Sequence, residues 1–164
     1  TNPRQEAAVL NARIRKSYLR GSLKHIFALG KHVPLTYPVQ WLGDAPSMLG
    51  DLAAGKGDAF AALSQAERPM VILGSGAVAR ADGAAILAAA MALAQKIGAI
   101  QEGWNGFNLL QRAASRVGGL ELGLVPSTGG LDVQGMLAGD ALDVLYLLAA
   151  DELDLSLLTA ETFV

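Results

Sequence analysis

The sequence contains no cysteine. Disulfides are therefore excluded and the redox compartment goes unread. Thiolate-held iron-sulfur clusters and cysteine zinc sites cannot be built from these residues either. Histidine is nearly as scarce: His25 opens an apolar run, His32 sits in a loop, and there are no others. Neither has a carboxylate at a recognisable ligand spacing, so no metal site is expected. Charged residues make up 17% of the chain against about 25% in ordinary soluble proteins. With so little solvated charge, part of the surface is expected to pack against something else. The alternative is that the mean hydropathy of +0.35 reflects 29 alanines and 19 glycines, which raise it without making sticky patches. Long apolar runs are also missing. The longest, Ala84 to Ala94, is stopped by Asp82 on one side and by Gln95 and Lys96 on the other, well short of the roughly 20 residues a bilayer span needs. No direct membrane span is expected, and Thr1 to Gln5 lack the basic-then-apolar order of an export signal.

At 164 residues the chain fits one compact α/β domain, 1–164, with a single hydrophobic core. Its net charge of −2 is unevenly spread: residues 1–31 hold seven basic and one acidic side chain, the remainder six basic and fourteen acidic. A nucleic-acid partner is not expected, because the acidic remainder would repel phosphate and no aromatic residues interleave the cations.

Glu6 to Arg20 places Leu10, Ile14 and Tyr18 on one helical face, with Arg13, Arg15, Lys16 and Arg20 elsewhere, and Gly21 stops the helix. By default such a basic face is plain exposed surface; its functional alternative is docking to an acidic neighbour through arginine forks. His25 to Leu29 then reads as a buried strand. Prolines and glycines punctuate 31–57, which is expected to be mostly loop with a short helix from Pro46 to Ala54. Asp58 is expected to cap a helix reaching about Glu67, and Pro69 ends it before a second strand, Met70 to Leu73.

Asp82 precedes a long helix carrying Ile86, Ala90, Leu93 and Ile97 at helical spacing up to Gly98. After a turn at Asn105-Gly106, a further helix is expected to carry Leu110, Ala114 and Val117 inward and to end at Gly118-Gly119. A short helix is expected around Val133 to Leu137. The nearly continuous apolar run Leu142 to Leu148 reads as a strand covered on both faces. Strands separated by helices imply parallel pairing, hence a three-layer α/β/α sandwich on a mostly parallel, Rossmann-like sheet.

The sharpest motif is Gly74-Ser75-Gly76-Ala77-Val78-Ala79 after a strand, which fits the form G-x-G-x-x-A. Such a loop lets backbone approach a pyrophosphate at a helix N-terminus. The helix, however, starts near Asp82, too late for a tight dinucleotide turn, and no acidic residue lies about 20 positions on to hold a ribose. A connecting turn is therefore the favoured reading of Gly74, Ser75 and Gly76. The alternative is a domain that holds a pterin dinucleotide or another nucleotide through these residues. Ser75 is not a nucleophile elbow, since Leu73 and Ala77 stand where glycines are needed. Asp151, Glu152 and Asp154 follow the third expected strand, an edge where α/β proteins place ligand groups; a solvated or partner-facing loop is the plainer reading. No catalytic residue emerges.

Three separated stretches resemble one family. They are Thr1-Asn2-Pro3-Arg4 with Glu6-Ala7 and Leu10 to Lys16; Pro69 to Gly76 with Arg80 and Asp82-Gly83-Ala84; and Trp104 to Asn108 continuing through Ala113 to Gly118 and Leu122-Gly123. All three are similar to the large iron-sulfur subunit of respiratory NADH:quinone oxidoreductase (complex I), although Ala8 stands where that family has proline. The resemblance implies a fragment of the subunit's molybdopterin-oxidoreductase-like domain, in which the cofactor is generally absent and the fold retained. The loop Gly74 to Gly76 would then be vestigial. It also implies [4Fe-4S] and [2Fe-2S] clusters in an upstream part of the parent subunit, other peripheral-arm subunits as partners, and electron transfer from NADH to quinone through segments other than this one. The implied location is the cytoplasmic side of a bacterial inner membrane, or the matrix side of a mitochondrial one. Both ends look cut by comparison with that family, so self-association through open sheet edges is expected.

Overall fold

The computed structural model describes residues 2–111, 113–138, 141–150, 153–158 and 162–164. It divides into two units, Thr1–Arg112 and Ala113–Val164.

In the first unit, Asn2 Oδ1 accepts a hydrogen bond from Arg4 N at 3.2 Å and Pro3 takes the first helical position, where its missing N–H costs nothing. This opens α1 (Pro3–Glu6), and α2 (Ala8–Leu19) follows. The expected helix is thus broken at Ala7, whose φ of −145° is not helical. Within α2, Leu10, Ile14 and Tyr18 share the half-buried side and the four cations are exposed, as their spacing implied.

The apolar run that follows forms β1 (Phe27–Leu29), which pairs in parallel with β2 (Gln40–Gly43). β2 adds a strand to 31–57, which was expected to be mostly loop with one short helix. Pro38 and Gly43 punctuate this short strand so closely that only the neighbour's hydrogen bonds, such as Gln40 N to Ile26 O at 2.9 Å, reveal it.

Two helices come next, α3 (Ser47–Ala54) and α4 (Asp58–Ser64). Asp58 does not cap α4 but sits in its first turn, and Gly57 takes the cap position at φ +85°. The helix stops at Ser64, short of Glu67. There the serine hydroxyl donates to Phe60 O at 2.9 Å, a local bond of the kind that competes with helix continuation.

β3 (Val71–Gly74) leads into a single turn, α5 (Ser75–Val78), and then into α6 (Gly83–Lys96). An antiparallel hairpin of β4 (Ile100–Gln101) and β5 (Trp104–Asn105) precedes β6 (Phe107–Leu110), which lies parallel to β3 with Val71 opposite Phe107 and Gly74 opposite Leu110. β6 corrects the helix expected over Leu110, Ala114 and Val117. The backbone of Phe107 to Leu110 is captured by the edge of β3, and tertiary pairing overrides the helical preference of its two leucines.

The core gathers Leu52 of α3, Ala59 of α4, and Leu93, Ala94, Ile97 and Ala99, with Phe27, Val71 and Phe107 packed against them. Ala94 and Ala99 are 0% exposed. Lys96 at the end of α6 donates to Ala53 O at 3.2 Å and lies over the Phe60 ring, holding α6 against α3 and α4. The α/β class holds, with parallel pairing in two of the three pairs. Among the described residues these remain separate two-stranded pairs.

The second unit is far less regular. α7 (Arg116–Glu121) starts after Ser115 at φ +64°, and Val117 is exposed rather than inward. α8 (Val133–Leu137) forms where expected, because Asp132 Oδ1 accepts from Gly135 N at 2.8 Å, a side-chain cap. Leu142 to Leu148 is not the doubly covered strand its composition suggested. It makes one parallel bridge, Val144 with Phe163, and leaves Tyr146 and Leu148 82% and 79% exposed. A strand exists only through its neighbours' hydrogen bonds, and here the described partner residues are Thr162, Phe163 and Val164 alone. Among the described residues no helix is long and apolar enough to cross a membrane.

Candidate functional site

Gly74, Ser75 and Gly76 lie together at the junction of β3 and α5. Gly74 ends the strand in extended backbone (φ −80°, ψ 142°), and Ser75 and Gly76 form the first turn of the four-residue α5. Space, not left-handed backbone, is the usual reason for glycine in such a turn, yet the position of a Cβ on Gly76 would meet no atom within 4 Å. The glycine that packing demands is Gly83. A Cβ there would run into the carbonyl of Val78, with the carbonyl carbon at 2.6 Å. Sequence reasoning passed it over. Its signal was the Asp-Gly pair at the helix start.

Ser75 Oγ is buried without a hydrogen-bond partner. Among the described residues no cationic side chain donates to this turn. The nearest in sequence, Arg80, is committed elsewhere: its Nε and Nη2 donate to Asp82 Oδ1 and Oδ2 at 2.6 and 3.0 Å. That fork holds the Asp82 carboxyl below its ordinary range, chiefly through the hydrogen bond from Arg80, and raises the Arg80 guanidinium in turn. Asp82 occupies the N-cap position of α6 without making a cap bond. The long helix does begin where the sequence placed it, one turn after a separate short helix that the sequence did not reveal.

Each histidine is exposed and lies beside an aromatic ring. His25 stacks on Phe27 with ring centroids 6.1 Å apart, and His32 lies tilted against Trp41 at 4.8 Å. Among the described residues no group of three or more histidine, cysteine, aspartate or glutamate side chains has the arrangement of a metal site. Of the acidic cluster, Asp151 and Glu152 lie outside the described residues. Asp154 is drawn into a cap: its carboxylate accepts from Ser156 N at 3.1 Å and from Ser156 Oγ at 2.6 Å, and these bonds hold it below the ordinary carboxylate range.

Two polar groups that sequence reasoning missed are buried in the first unit. Asn11 is 8% exposed; its Nδ2 donates to Thr36 Oγ1 at 3.3 Å, while Oδ1 has no partner. The neighbouring Tyr37 is buried too, and burial pushes its phenol up. Asn11 lies beside Ile14 and Tyr18 on the half-buried side of α2, and a lone asparagine there gives no sign in sequence of which loop folds over it.

A third polar tie joins distant segments. Trp104 Nε1 donates to Pro69 O at 3.0 Å, with Arg68 over the indole ring, and Gly106 lies against the same carbonyl and against Ala99 O. The stretch Trp104 to Asn108, one of the three that carry the family resemblance, thus seats β6 beside β3.

A family model described as molybdopterin oxidoreductase matches residues 1–164. The chain is also similar to curated proteins. It is 43% identical over 130 residues to the mitochondrial NADH-ubiquinone oxidoreductase 78 kDa subunit of Neurospora crassa, covering 77% of this chain and 17% of that one. It is 44% identical over 125 residues to the 78 kDa subunit of Candida albicans, covering 75% and 17%. With the 75 kDa subunit of NADH-ubiquinone oxidoreductase from Reclinomonas americana the identity is 36% over 124 residues, covering 76% and 18%. The chain thus spans less than a fifth of the length of these relatives.

Proposed function

Because the chain belongs to the molybdopterin oxidoreductase family, we propose that it is a structural, non-catalytic part of the large iron-sulfur subunit in the peripheral arm of NADH:quinone oxidoreductase. That complex transfers electrons from NADH to quinone and couples the transfer to proton translocation. The observation that carries this reading is alignment over three quarters of the chain with the 75 and 78 kDa subunits of three organisms. In this reading the [4Fe-4S] and [2Fe-2S] clusters belong to other parts of the parent subunit, and the partners are the other peripheral-arm subunits. The location is peripheral, on the cytoplasmic or matrix side of the membrane. The chain is one α/β domain's share of a larger fold, whose parallel pairs join a three-layer sandwich.

The residues at the glycine turn do not fit a pterin dinucleotide. Pyrophosphate needs cations or a substantial helix N-terminus. The turn offers one hydroxyl, a four-residue helix, and an arginine already paired with Asp82. No reaction step is assigned to such a group. Mass spectrometry of the denatured parent subunit decides between this reading and a ligand-holding domain. We expect no pterin and no nucleotide, and undiminished NADH:quinone activity in Gly76→Asp. A bound pterin or nucleotide lost in that variant would overturn the structural reading.

A further inference from the structure

At about 100° per residue, Val9, Arg13, Lys16 and Arg20 fall at i, i+4, i+7 and i+11 of α2 and its cap. They form one exposed stripe on the side away from the half-buried Leu10, Ile14 and Tyr18. Arg20 keeps helical backbone at the cap (φ −82°, ψ −4°), so the stripe runs to the helix end. The ion pairs among the described residues are Lys56 with Asp51 and Arg80 with Asp82; the stripe takes part in neither. α2 contains no acidic residue. Like charges three and four residues apart destabilise a helix, so the arrangement works against the isolated chain and is relieved by an external counter-charge.

We propose that this stripe docks an acidic protein surface on a neighbouring polypeptide of the assembly, with Arg13 and Arg20 forking onto carboxylates and Lys16 between them. The proposal rests on the assembly role argued above. Two other anionic surfaces fit less well. A lipid surface calls for a broad apolar face turned outward, whereas the large apolar residues exposed on α2 are two, Val9 and Leu19, set on either side of Lys16. Nucleic acid would meet six basic against fourteen acidic side chains over the rest of the chain. A carboxylate-bearing protein face suits a helix that offers guanidinium forks and only two separated apolar side chains to the outside.

The test is made on the intact complex. A zero-length carbodiimide should join Lys16 to an aspartate or glutamate of another subunit, identified by mass spectrometry of the linked peptides. In the parent subunit, the combined change Arg13→Glu, Lys16→Glu and Arg20→Glu should reduce recovery in the assembled complex roughly tenfold at physiological salt, with the gap from wild type narrowing as salt rises. The unassembled variant should melt as the wild type does, and Arg13→Lys with Arg20→Lys should keep most of the assembly. Lys16 linked only to carboxylates of its own chain, or full salt-insensitive recovery of the reversed variant, would overturn the proposal. So would stripe-dependent binding to anionic phospholipid vesicles without an assembly defect. Absence of the wild-type subunit from the complex would remove the assembly reading itself, and this inference with it.

Discussion

In Thr1–Arg112 apolar side chains spaced at helical intervals are covered: Ala90, Leu93 and Ile97 of the α6 face are buried among residues from α3, α4 and the strands. In Ala113–Val164 an equally apolar sequence stays largely in the open, and Leu137 is the only buried hydrophobic residue among those described. Hydrophobicity alone does not separate the two. The first unit can hide its apolar groups because parallel strand pairs and a fourteen-residue helix present them on shared faces. The second has helices of six and five residues and a strand-like run with one bridge, so its leucines have no common face to share.

The largest effect should come from breaking the covered face. Leu93→Ala is expected to cost about 2–5 kcal/mol, whereas Leu148→Ala in the other unit should stay within about 0.5 kcal/mol of wild type. Urea unfolding followed by amide hydrogen exchange in each unit measures both, and equal costs would end the contrast. Native-state hydrogen exchange should agree, with the amides of α6 slowest and those of Leu145 to Leu148 fast.

Next in size is Gly106→Ala, expected to cost about 1–3 kcal/mol because a Cβ would press on the carbonyls of Pro69 and Ala99. Gly76→Ala should do the opposite and stabilise by roughly 0.4–1 kcal/mol, since its surroundings are open and its backbone helical. Thermal melts of the two variants check this, and a destabilised Gly76→Ala would reopen the question of a tight requirement at that turn.

The smallest effect is acid dependence. Asp82 has a folded-state pKa below the usual value, so its pairing contributes stability above the unfolded carboxyl's pKa, about 3.9. That contribution is lost as pH falls through the lower folded-state value. Both partners are substantially exposed, so Asp82→Asn should differ only slightly from wild type at neutral pH, and less still in acid. Parallel acid titrations of unfolding would show the two curves converging.

Much of the first unit was legible in the sequence because its signals were periodic. The faces of α2 and α6 followed from residues three and four apart, and β1 and β3 from short apolar runs bounded by breakers. β2 and β6 were missed because, unlike β1 and β3, neither is an uninterrupted apolar run: Gln40 and Gly43 flank Trp41-Leu42, and Asn108 interrupts Phe107 to Leu110. Leu142 to Leu148 failed in the opposite direction, with strand composition but only one described bridge. At the candidate site, the weakness of Gly74 to Gly76 was readable from the late helix start and the missing acidic residue about 20 positions on. The tight glycines, Gly83 and Gly106, were not, because what they touch lies at Val78 in one case and at Pro69 and Ala99 in the other.

The alanines at the centre of α6 carry one more consequence, for entropy. Ala90, Ala94 and the following Ala99 give up no side-chain rotamers when buried, whereas a leucine loses about 0.5–1 kcal/mol in the same place. A core floored with alanine is assembled at low conformational cost, but each residue also withdraws little apolar surface from water. Its unfolding should therefore release less heat capacity per residue than the usual ~12–15 cal/mol/K, giving the first unit a flat stability curve that changes slowly with temperature.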